Sequence, residues 1–166
     1  VVGTAAKNLR KIQTGAAELG IFTPLTKLLE RCSTFLEAVA TDATKVGGDG
    51  VDGDDAVETI LDLLKKVMYA VSALCRGNPK TQHIFSSLGG INFLRRVMTG
   101  LHARVKDFVG NGEAEHAAVV TKVYRIRGRI ASFISDMLSR ESDDSPYSNS
   151  ELANLLLSAE WRESLS

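Results

Sequence analysis

The chain has 166 residues, 44 % hydrophobic and 24 % charged, a balance that excludes an intrinsically disordered polymer. Twenty Lys and Arg offset twenty Asp and Glu, so no net field draws nucleic acid or an anionic membrane, and neither is expected as a partner. No apolar run of about 18 residues occurs, so no membrane-spanning helix is expected.

The chain opens on Val1-Val2-Gly3-Thr4, without an initiator Met, a basic segment or an apolar signal core. It reads as starting inside a helix, and it closes on Glu163-Ser164-Leu165-Ser166 without a stop signal. The expectation is one domain over residues 1–166, cut from a longer protein. A short helix should precede Leu19-Gly20, and an amphipathic helix carrying Leu25, Leu28 and Leu29 should follow. Residues 40–55 are rich in Gly and Asp and read as a flexible acidic insertion.

From Asp55 to Arg76, Val57, Ile60, Leu61, Leu64, Val67, Met68, Val71 and Leu74 recur at steps of three and four, a helical stripe. Asp54 or Asp55 is the expected N-cap. Gly77-Asn78-Pro79 should end this helix, because Pro79 disfavours helical geometry at Asn78 and Gly77 tolerates positive φ. A short helix is predicted over Lys80 to Leu88, stopped by Gly89-Gly90. Ile91, Leu94, Val97, Met98 and Leu101 then form the next stripe, with Asn92, Arg95, Arg96, Thr99 and His102 opposite.

A third unit is predicted from about Glu113. Val119, Val123, Ile126, Ile130, Phe133 and Met137 set its stripe, as one long helix or as two broken around Gly128. A polar loop over 139–150, an apolar helix over 151–157 and Trp161 complete the reading.

The first two units repeat each other. Lys11, Gln13, Leu19, Gly20, Leu25, Lys27, Leu28 and Leu29 match Lys80, Gln82, Leu88, Gly89, Leu94, Arg96, Val97 and Met98, each pair offset by 69 (80 − 11 = 69). An armadillo unit is about 42 residues, so 69 is one unit plus the acidic insertion. The expected fold is all-α, an armadillo/HEAT-like right-handed superhelix whose curved inner surface is lined by the last helix of each unit.

Chemical signatures are sparse. No hydrolase, phosphate-loop or zinc-protease motif occurs, so no catalytic residue, cofactor or metal site is assigned. His83, His102 and His116 lack ligand spacing, and Cys32 and Cys75 read as buried free thiols. The acidic insertion lacks the oxygen spacing of a calcium loop. Lys122, Arg125 and Arg129 share one helix face, with Arg127 pointing elsewhere, and that face reads as solvated or as a protein contact. The candidate partner-binding set is Asn92, Arg95, Arg96 and Thr99 on the expected inner helix, joined by Lys27 and Glu30 through the repeat.

The run from Lys65 to Gln82, KKVMYAVSALCRGNPKTQ, followed by Phe85 and Leu88-Gly89-Gly90-Ile91-Asn92-Phe93-Leu94, resembles one group of repeat proteins. It is similar to the armadillo-type nucleotide exchange factors of seventy-kilodalton heat-shock chaperones, the Sil/Fes group. Residues 1–31 look like the preceding repeat of that group, whereas the insertion at 40–55 departs from its compact pattern. The polar loop at 139–150 is more similar to the Sil branch of the endoplasmic reticulum than to the cytosolic branch. The resemblance implies a factor that clasps the chaperone's ATPase domain, a BiP-like one if the protein is lumenal, and promotes ADP release. The alternative is a general armadillo or HEAT scaffold that binds an extended peptide. For the first reading the implied compartment is the endoplasmic-reticulum lumen, with the cytoplasm as the alternative.

Overall fold

A computed structural model describes the backbone of residues 9–42, 51–111 and 117–138 and the side chains of 9–39, 55–106 and 117–137. Among them every regular element is an α-helix: α1 (Arg10–Glu18), α2 (Phe22–Asp42), α3 (Val51–Cys75), α4 (Pro79–Ser87), α5 (Gly90–Asn111) and α6 (Ala117–Leu138). The chain is all-α in this sense. The expected 139–150 loop, the 151–157 helix and Trp161 lie outside the described residues.

The insertion is corrected at both ends. α2 runs on to Asp42 and α3 opens at Val51, so only residues 43–50 of the 40–55 stretch lie outside the helices described. Asp54 and Asp55 are therefore helical residues and not N-caps. The predicted helix from Asp55 thus starts one turn early.

α1 and α4 are the same device used twice. Each spans nine residues, and adding 69 to the bounds of α1 gives those of α4 (10 + 69 = 79; 18 + 69 = 87). Gly20 follows α1 at φ 79° and Gly89 follows α4 at φ 78°, the left-handed conformation that glycine adopts without steric cost. The turn hydrogen bonds also correspond: Gly20 N–H donates to Ala17 O and Gly89 N–H to Ser86 O, both at 2.9 Å. After the turn, α2 buries Phe22, Leu29 and Leu36 while α5 buries Ile91, Leu94, Met98 and Leu101.

Equivalent helices lie against each other: α1 packs on α4, α2 on α5 and α3 on α6, with α2 against α5 the most extensive pair. α2 and α5 approach closely at Gly100, since a Cβ placed there would sit 2.7 Å from Leu36 Cβ. Across the layers runs a chain of rings. Phe22 and Phe85 have centroids 5.7 Å apart, and Phe85 meets Phe133 edge-on at 5.8 Å, which ties α2, α4 and α6 together. α6 is continuous through Gly128, which settles the one-helix alternative.

The C-terminus of α3 is held by side chains from both short helices. A helix leaves its last four carbonyls without intrahelical donors. Here Gln13 Nε2 donates to Ala73 O at 2.8 Å and to Arg76 O at 3.0 Å. Thr81 Oγ1 lies 2.8 Å from Leu74 O, and Gln82 Nε2 donates to Cys75 O at 3.0 Å. As Pro79 predicts, α3 stops there: Gly77 has φ 68°, and Asn78 is extended and caps α4 through Thr81 N–H.

Candidate functional site

The residues expected to bind a partner sit on α2 and α5, and packing decides their geometry. Ile91, Leu94, Val97, Met98 and Leu101 are buried, which turns the opposite side of α5 outward. Asn92 and Thr99 are exposed there, and Arg95 and Arg96 are half-buried. Thr99 Oγ1 turns back onto its own helix and donates to Arg95 O at 3.2 Å. Lys27 and Glu30 are exposed on α2.

Arg96 bridges the two helices. Its Nε donates to Glu37 Oε1 at 2.7 Å and its Nη2 to Glu37 Oε2 at 2.6 Å, a two-point fork across the seam between α2 and α5. Thr34 Oγ1 lies 3.4 Å from the same Nη2. The guanidinium hydrogen bond holds the Glu37 carboxyl below the usual carboxylate range, and burial partly opposes it. The same bond holds Arg96 further toward its charged form, with a smaller contribution from Glu30. Glu30 and Arg96 thus share one local field, and the fork fixes the orientation of the Arg96 guanidinium. Sequence reasoning selected Arg96 but missed Glu37, because the α2–α5 register appears only once the helices are packed.

The basic stripe of α6 divides. Lys122 pairs with Glu58 and, at 3.7 Å, with Asp62 on α3, so it contributes to helix packing. Arg125 and Arg129 are exposed. Arg127 does point elsewhere: it is buried, with its guanidinium carbon 5.7 Å from the centroid of the Tyr124 ring.

Both thiols are free and buried, as the sequence predicts. Burial raises the Cys32 pKa to about 11 and pushes Cys75 higher still, away from the thiolate that nucleophilic chemistry requires. Cys75 Sγ lies 3.9 Å from Thr81 O, and His83 is exposed on the next helix. Among the described residues no group of three His, Cys, Asp or Glu side chains is placed to hold a metal ion. No helix among them is long and apolar enough to cross a membrane. Comparison with protein-family models, with curated proteins and with solved structures gives no match.

Proposed function

We propose that this protein is a nucleotide exchange factor of armadillo type, which clasps the ATPase domain of a seventy-kilodalton heat-shock chaperone and promotes release of ADP. The observation that carries the reading is the offset of 69, which joins the resemblance in the Lys65–Leu94 run to a repeated helix–turn–helix with matching left-handed glycines. Pairing of α1 with α4, α2 with α5 and α3 with α6 is the arrangement that stacked repeats produce. In that right-handed superhelix α2 and α5 lie side by side on the inner surface. Asn92, Arg95, Arg96, Thr99, Lys27 and Glu30 then form the grip.

The mechanism is a shift in conformational population. The factor binds the open nucleotide cleft better than the closed one, and the difference in those affinities bounds the shift. Reciprocity follows: ADP must weaken factor binding by the same ratio by which the factor weakens ADP binding. The factor itself needs neither a nucleotide pocket nor a catalytic group. The proposed compartment is the endoplasmic-reticulum lumen, with a BiP-like partner.

Titrating the chaperone's ATPase domain with the protein, with and without saturating ADP, tests this. Affinity should fall with ADP by about 5- to 150-fold. Equal affinity in both states removes the coupling. Binding of an extended peptide in place of the ATPase domain would favour a general scaffold.

A further inference from the structure

A second surface lies between α3 and α6, and no residue of α2 or α5 lines it. It is a groove of about 450 Å³, within the size range of ligand-binding clefts. Met68 and Phe133, both core residues, form its apolar floor, and the half-exposed Tyr69 stands at its side. Gly128 opens the α6 wall, because a Cβ placed there meets no atom within 4 Å.

The charge of this groove departs from the neutrality of the chain. Arg76, Arg125 and Arg129 line it against a single carboxylate, Asp136, a local balance of +2 (3 − 1 = 2). Asp136 lies 3.9 Å from Arg76, so the carboxylate is already matched to one of the three. Arg125 and Arg129 are exposed and make no ion pair among the described residues. They sit on one face of α6, about 6 Å apart along its axis. The neighbouring Lys122, one turn before Arg125, is by contrast neutralised by Glu58 and Asp62.

We propose that this groove docks an acidic segment of another protein, with carboxylates on Arg125 and Arg129 and an apolar side chain in the gap above Gly128. Guanidinium forks match carboxylates at two points, and an apolar floor supplies the burial that a charged face alone lacks. A nucleic-acid strand fits less well. Tyr69 is the one aromatic ring exposed along the groove, and single-strand binding relies on successive stacking platforms. The surface is independent of the chaperone grip, so loss of either activity leaves the other in place.

The test is fluorescence anisotropy on the full chain with a labelled Glu- and Leu-containing peptide of about a dozen residues. A matched peptide with Gln for Glu and an oligouridine of equal charge are the controls. The acidic peptide should bind at least about tenfold tighter than the Gln peptide, and added salt should weaken it. Arg125→Glu with Arg129→Glu should cost about tenfold in affinity with an unchanged melting temperature. Gly128→Leu should weaken binding by filling the gap without unfolding the helix. Equal binding of the acidic and Gln peptides, equal binding by the double variant, or tighter binding of oligouridine would each overturn the proposal.

Discussion

Gln13 and Gln82 occupy equivalent positions of two helical turns and donate to the same helix end, Gln13 to Ala73 O and Arg76 O and Gln82 to Cys75 O. The repeat therefore does more than stack apolar stripes. Two successive short helices close the C-terminus of the long helix α3, and Thr81 supplies the remaining carbonyl contact, at Leu74 O.

Gln13 is fully buried and makes two of these bonds, whereas Gln82 is half-buried and makes one. Gln13→Ala should destabilise the protein by about 1–3 kcal/mol, and Gln82→Ala by about 0.5–1.5 kcal/mol. Urea unfolding of the two variants checks the order. Equal costs would mean that the capping of α3 does not depend on burial.

Two pairs of glycines should respond in opposite directions. Gly20→Ala and Gly89→Ala force a Cβ into the left-handed region and should each cost about 1–2 kcal/mol. Gly15→Ala and Gly128→Ala place a methyl in open space on a helix and should each stabilise by about 0.5–1 kcal/mol. Thermal melts of the four single variants would show this opposite sign.

Gly100→Ala tests the α2–α5 seam. Its Cβ would meet Leu36 Cβ, which is fixed to the backbone and cannot rotate away, so the two helices must separate. The expected cost is about 1–3 kcal/mol. Chaperone binding should weaken as well, because the seam positions Arg96 against Glu37.

The Glu37–Arg96 fork gives a pH dependence of known sign. The folded Glu37 pKa is lowered, so the pair stabilises the fold above the unfolded value of about 4.3 and loses this contribution as pH falls through the lower folded value. Both side chains are about a third or more exposed, so the contribution is at most about 1 kcal/mol at neutral pH. Glu37→Gln should show that deficit at pH 7 and converge with the unmodified protein in acid. A constant difference across the range would assign the effect to packing.

Much of the architecture is legible in the sequence because it is local or periodic. The Gly77-Asn78-Pro79 stop, the short helix after it and the buried stripe from Ile91 to Leu101 follow from residue type and spacing. The start of α3 is not legible because Gly48, Gly50 and Gly53 among acidic residues resemble a loop, while the helix tolerates Gly53 in its first turn. Gln13 on Ala73 and Arg96 on Glu37 join residues about 60 positions apart. Such contacts depend on how helices are placed in space, and no local pattern encodes that placement.

For the proposed grip, Asn92 and Thr99 are the cleanest probes. Both side chains are exposed, so Asn92→Ala with Thr99→Arg should leave the melting temperature within a few degrees and weaken chaperone binding severalfold. Arg95→Glu with Arg96→Glu should weaken binding more, but it also sets a negative charge against Glu37. Calorimetry beside the binding measurement separates the two effects.

The most direct measurement is stopped-flow release of a fluorescent ADP analogue from a seventy-kilodalton chaperone. Adding this protein should accelerate release by about tenfold or more, and the Arg95→Glu, Arg96→Glu variant should lose most of that gain. A protein that binds the ADP-loaded chaperone and leaves the release rate unchanged would contradict the account.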